Sequence, residues 1–149
     1  MLFYLLGMDT AIPAVDQNFV TLVTDADGVD MFMQFTDNLE EASQFEFTAG
    51  CDVITADYMT PNSDLPDPLI GLSTSPLRFD YSDTILTEGY FEDICRVGSD
   101  GSFTCQGVGE STLYVCLDGN YQVHIGEAVP SGCTAVTLRA FLIDTTVAP

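Results

Sequence analysis

Apolar and polar residues alternate along most of this 149-residue chain, in short runs broken by Gly, Asp, Asn and Pro. Alternation with period two places one face of a strand against a core and the other toward solvent. The pattern predicts strands over Phe3 to Met8, Phe19 to Thr24, Val29 to Phe35, Gln44 to Thr48 and Val53 to Tyr58. Further strands are expected over Leu77 to Tyr81, Ile94 to Val97, Ser102 to Gln106, Leu113 to Leu117, Tyr121 to Ile125 and Ala135 to Ile143. Three tight hairpins are expected at Asp25-Ala-Asp-Gly28, Ser99-Asp-Gly-Ser102 and Leu117-Asp-Gly-Asn120, where glycine supplies a positive φ. One helical turn is expected over Asp37 to Ser43, capped by Thr36 or Asp37, with Glu40 and Glu41 in its first turn. Pro61, Pro66, Pro68 and Pro76 interrupt the stretch 60–76, which reads as a proline-rich surface loop.

These elements predict a single compact all-β domain over residues 1–149. The runs Ser43 to Gly50, Ile94 to Cys105 and Thr112 to Gly126 each set alternating apolar residues against a glycine turn. That faint internal similarity suits a β-trefoil-like barrel, preferred here over a Greek-key β-sandwich because strong first and last strands can pair and close it.

Charge narrows the function classes. The chain holds 23 Asp and Glu against three arginines, Arg78, Arg96 and Arg139, for a net charge of −20. Such a field repels nucleic acid and anionic membrane surfaces, so neither partner is expected. At 46% hydrophobic residues the chain is nonetheless not a disordered acidic tail. Self-repulsion falls as carboxylates take up protons, so stability is expected to hold or rise from pH 7 to about pH 4.5. A halophilic origin is the competing account of the acidity, and five cysteines speak against it. No stretch approaches the ~20 apolar residues of a membrane span. The opening Met1-Leu-Phe-Tyr-Leu-Leu is too short for a signal peptide and reads as the first strand of a mature domain, the signal being expected upstream. No Asn-x-Ser/Thr acceptor occurs.

Four of the five cysteines fall in the last third, at Cys95, Cys105, Cys116 and Cys133, on or beside predicted strands. Thiols packed this densely beside turns point to disulfides and an oxidising compartment. Cys95 and Cys105 lie symmetrically about Asp100-Gly101, as opposed residues of a hairpin do, which leaves Cys116 with Cys133. Other pairings of the four remain open at this level. Cys51 is left over, either a buried free thiol in a strand or a reactive or intermolecular one. No Cys-x-x-Cys pair accompanies the single histidine, so no metal site and no cofactor are expected of these residues.

The remaining candidates each face a plainer alternative. Asp25, Asp27 and Asp30 surround Gly28 at a spacing that offers calcium hard oxygen ligands, but no distal bidentate Glu follows and Asp-Gly is itself a turn. The acidic loop Asn62 to Asp67 is a weaker version of the same idea. Asp80 and Asp83 make a carboxylate pair of the kind glycoside hydrolysis uses, though pairs arise readily among 23 acids. His124 alternates with Val123 and Ile125, is expected to face solvent, and has no nucleophile motif around it. No catalytic residue is therefore assigned. Tyr90, Tyr114 and Tyr121 sit near turns, where tyrosine can stack on a sugar face and donate its hydroxyl.

From about Tyr90 onward the chain resembles a group of small secreted proteins of filamentous fungi described as cell-wall or extracellular-matrix proteins. The residues that carry this are Cys95, Asp100-Gly-Ser-Phe-Thr-Cys-Gln106, Leu113-Tyr-Val-Cys116, Gln122-Val-His-Ile-Gly126 and Ser131-Gly-Cys-Thr-Ala-Val-Thr-Leu138. Phe3-Tyr-Leu-Leu and Ala42-Ser-Gln-Phe-Glu-Phe-Thr resemble earlier strands of the group. Cys51 and the proline-rich stretch depart from it. The resemblance implies a secreted β-rich domain at the cell surface or in the medium, without established catalysis or transferable site residues. The expectation is thus a non-catalytic extracellular or cell-wall protein with a structural or adhesive role. Its expected partner is a cell-wall polysaccharide or another glycan, and self-association through an edge strand or Cys51 is open. A lectin-like carbohydrate-binding module and a carboxylate-based glycoside hydrolase are the alternatives.

Overall fold

A computed structural model describes residues 1–66, 74–117 and 120–143. The chain is all-β, with a nearly closed barrel-like sheet and two disulfides. Fifteen strands are formed among the described residues: β1 Leu2–Met8, β2 Phe19–Thr24, β3 Met31–Thr36, β4 Phe45–Phe47, β5 Val53–Thr55, β6 Thr60–Ser63, β7 Thr74–Pro76 and β8 Arg78–Asp80 come first. They continue as β9 Phe91–Glu92, β10 Ile94–Val97, β11 Ser102–Gln106, β12 Thr112–Cys116, β13 His124–Gly126, β14 Cys133–Ala135 and β15 Thr137–Leu142. The large sheet runs β10-β11-β15-β1-β2-β3-β8-β6-β9, with β4 pairing β1 and β5. A smaller sheet runs β14-β12-β13-β7.

The first and last strands do pair. β1 and β15 are antiparallel from Phe3↔Leu142 to Met8↔Thr137. Within β1, Phe3, Leu5 and Gly7 point inward and are buried while their neighbours are half-exposed, as the alternation requires. Gly7 is fixed by close approach: a Cβ there would meet the Val15 carbonyl oxygen at 2.5 Å. One apolar core joins both sheets, including Phe3, Leu5, Val20, Phe45 and Leu138 from the large sheet and Leu113, Val115 and Ile125 from the small one. Backbone bonds tie the sheets together as well, since Val123 N donates to Met33 O at 2.9 Å and Leu77 N to Val123 O at 3.1 Å.

Several expected elements are corrected. The expected last strand, Ala135 to Ile143, is formed over Thr137–Leu142, and an unexpected strand, Cys133–Ala135, precedes it and pairs with β12; the chain changes sheet at buried Val136, whose N–H donates to Leu113 O. The stretch 60–76 is not simply a surface loop. Thr60–Ser63 forms an interior strand between β8 and β9 with Pro61, Asn62 and Ser63 buried, and Thr74–Pro76 closes the small sheet. Proline is tolerated at position 61 because its carbonyl still serves the ladder, accepting Asp93 N at 2.9 Å. Residues 67–73 of that stretch lie outside the described residues, as do positions 118 and 119 of the expected turn Leu117 to Asn120. The helical turn at Leu39–Glu41 is a short 3-10 turn capped by Asn38, whose side chain accepts from Glu40 N; Thr36 instead bonds Asn38 N and Glu41 Oε2.

A helix absent from the strand pattern, α1 Ser82–Glu88, follows β8. It ends at Gly89 with φ 71°, where the left-handed conformation closes a C-cap. Only Ile85 of this helix is buried, so the run carries little amphipathic signal.

Candidate functional site

Two places on the fold bring polar side chains together. The first is a cleft of about 470 Å³ on the small sheet, lined by Thr74, Ser75, Pro76, Tyr114, Cys116, Gln122, His124 and Pro130. Register builds it. His124 in β13 stands opposite both Tyr114 in β12 and Pro76 in β7. Directly opposed side chains on one face are near neighbours, and the Tyr114 and His124 rings stack with centroids 5.4 Å apart. The Tyr114 hydroxyl hydrogen-bonds the Thr74 hydroxyl. Burial first, then the nearby Glu110 charge, pushes the Tyr114 pKa up, so this hydroxyl stays protonated. His124 Nδ1 lies 3.0 Å from Gln122 O; a carbonyl only accepts, so Nδ1 carries the proton of that bond. The Cys116–Cys133 disulfide borders the cleft.

Chemically the cleft offers hydroxyls, an amide and an imidazole ring beside an apolar wall. Among the described residues it does not assemble an activated nucleophile. Ser75 Oγ is committed to backbone, accepting from Asp64 N and donating to Pro76 O, and a carbonyl rather than a carboxylate orients His124. His124 is half-buried, not the solvent-facing residue expected.

The second place lies where β6, β8 and β9 end the large sheet. Asn62, Ser63, Arg78, Asp80, Asp93 and Glu110 are all buried there. Asn62 Nδ2 donates to Asp80 Oδ2 at 2.9 Å, and Ser63 Oγ donates to Asp93 Oδ1 at 2.8 Å. Arg78 is the cation of the group. It bonds Asp64 Oδ1 at 2.8 Å and Asn62 Oδ1 at 3.3 Å, and its guanidinium lies 3.7 Å from the centre of the Tyr90 ring. Tyr90 in turn donates its hydroxyl to Asp30 Oδ2 at 3.3 Å. Desolvation pushes the Asp80 pKa up to about 7, with the neighbouring Asp30 acting in the same direction, against the bond from Asn62 and the Arg78 charge. Desolvation likewise pushes Asp93 up to about 7, assisted by Glu110 and opposed by the Ser63 bond and Arg78. Tyr90 is pushed up to about 12, chiefly by burial.

The predicted site residues fall as follows. Cys95 pairs with Cys105 and Cys116 with Cys133, each pair directly opposed on neighbouring strands. Cys51 is free and exposed in a tight turn with φ 67°, correcting its reading as a buried strand thiol. Tyr90, Tyr114 and Tyr121 do not form one surface. Tyr90 has Arg78 on its face, Tyr114 is buried against His124, and Tyr121 packs partly on the core. The carboxylates of the 25–30 turn diverge. Asp25 Oδ1 accepts Val29 N at 3.2 Å, Asp27 is exposed, and Asp30 reaches inward to Tyr90. No group of three or more His, Cys, Asp or Glu suited to a metal is formed among the described residues. Asp67 of the acidic loop lies outside them. Asp80 and Asp83 share no cleft, since Asp80 is fully buried and Asp83 is exposed on α1. The burial of Asn62 and Asp93 carried no signal in the sequence, because it depends on β6 being interior.

No family model, curated protein or solved structure matches the chain.

Proposed function

We propose that this protein is a non-catalytic secreted domain, extracellular or in a cell wall, with a structural or adhesive role. The observation that carries the reading is the pair of cross-strand disulfides, Cys95–Cys105 and Cys116–Cys133, which persist in oxidising surroundings. Among the described residues no helix is long and apolar enough to cross a membrane. The resemblance to small secreted fungal cell-wall proteins supports the same role. Thiol counting and non-reducing peptide mapping of protein from its native source test it. Two intact disulfides on protein recovered from wall or medium are expected; four free thiols on protein recovered from cytosol would overturn it.

A second reading is a lectin-like module, favoured by the hydroxyl-lined cleft with its stacked Tyr114 and His124. Concave sites with a few convergent polar groups beside an apolar wall suit small hydroxylated ligands. Glycan-array binding lost in His124→Ala is its expected signature, and no binding by the wild type removes it.

A further inference from the structure

The large sheet begins at β10 and ends at β9, and a single residue, Asp93, joins these two strands in sequence. Asp93 N donates to Pro61 O in β6, which extends the β6–β9 ladder to the residue that links the two edge strands. Its carboxyl is buried, with Oδ1 held by Ser63 and Oδ2 given no donor among the described residues. Glu110, also buried, stands beside it. A Cβ placed on Gly107 would lie 2.9 Å from Asp93 Oδ1 and 3.6 Å from the Glu110 Cβ. One strand away, Asp30 neighbours Asp80 and acts to raise its pKa, and Oδ1 of each is buried without a donor among the described residues. Two carboxyl pairs are thus enclosed around one cation, Arg78, whose nearest carboxylate is Asp64.

We propose that the β9–β10 seam is a proton-operated latch, closed while the Asp93–Glu110 and Asp30–Asp80 pairs each hold a proton and loosened when both members of a pair are charged. Two neighbouring like charges taken out of water repel strongly, and water must enter to relieve them. The groups that set the response come from every packed element. Asp93 is faced by Ser63 of β6, Arg78 of β8 and Glu110 of the β11–β12 connection. Asp80 is faced by Asn62 of β6, by Asp30 before β3, and by Arg78 of its own strand, while Tyr90 closes over Asp30. Arg78 and the Ser63 and Asn62 bonds oppose opening. Burial and the carboxylate partners favour protonation.

Hydrogen exchange at the Asp93 amide, corrected for the intrinsic pH dependence of exchange, tests the latch. Protection is expected to fall by up to about tenfold per pH unit between about pH 4 and about pH 7 and to level off above it, the response of one retained proton whose pKa is raised from 3.8 to about 7. Asp93→Asn flattens that dependence, while Asp27→Asn, which removes an exposed turn carboxylate and the same unit of net charge, leaves it as in the wild type. An equal slope in Asp93→Asn and wild type overturns the proposal. Should Asp93→Asn fail to fold, carboxyl-carbon NMR of the wild type decides. Asp93 and Asp80 titrating near neutrality support the latch, and both titrating near the ordinary value of 3.8 overturn it.

Discussion

The β1–β15 side of the large sheet and its β6–β8–β9 end are buried equally well but by opposite means. On the first, Phe3, Leu5, Val20 and Leu138 exclude water completely with no polar side chain among them. At the second, Asn62, Asp80 and Asp93 are as deeply buried as those apolar residues. Apolar burial stabilises in proportion to area and is indifferent to pH. Polar burial stabilises only while each group keeps its partner or its proton. One sheet therefore contains a part that pH does not touch and a part that pH governs.

The largest expected effect breaks the apolar side. Phe3→Ala, which removes a ring packed against Phe45 and Phe47, is expected to cost ~3–5 kcal/mol by denaturant melts, with the same loss at acid and neutral pH. Mutating both Cys116 and Cys133 to Ser is expected to cost about 3 kcal/mol, the loop-closure value for 17 residues of separation.

At the polar end the sign follows from Asp80 and Asp93, whose folded-state pKa values are raised to about 7 from 3.8. Below about pH 4 both folded and unfolded chains hold these protons, and nothing distinguishes them. Between about 4 and about 7 the folded state keeps protons that the unfolded chain releases, so stability declines as pH rises and levels off above that window. Thermal melts across the range are expected to show this decline, and Asp80→Asn to make it shallower; an unchanged slope in Asp80→Asn contradicts the assignment. The smallest effect is Arg96→Ala. Its ion pair with Asp52 at 3.0 Å is solvent-exposed, and a change below about 0.5 kcal/mol is expected in the same melts.

What the sequence revealed divides along the same line. Alternating Phe3, Leu5 and Gly7, the Asp-Gly hairpin between Cys95 and Cys105, and the pairing of first with last strand were legible because periodicity and turn chemistry are local. Strand β6 was not. Thr60-Pro-Asn-Ser63 has the composition of a loop, and only its two flanking strands make it interior. With β6 misplaced, Asn62 fell in the expected loop, Asp80 was weighed only as a partner of Asp83, and Asp93 was given no role. His124 was misjudged for a related reason, since its alternation with Val123 and Ile125 gave the correct face but not the Tyr114 ring that covers it.

The register of β1 against β15 has a mechanical meaning. Leu2 and Ile143 leave the sheet side by side, Ile143 N bonding Leu2 O at 3.0 Å. A pull applied through those two residues peels the strands apart one rung after another instead of loading all rungs in shear. Peeling along β15 runs back through Val136 to Cys133, where the covalent tie to Cys116 takes up the tension. From that end the chain can be drawn out only as far as Cys133, whereas from Leu2 no covalent tie intervenes before Cys95.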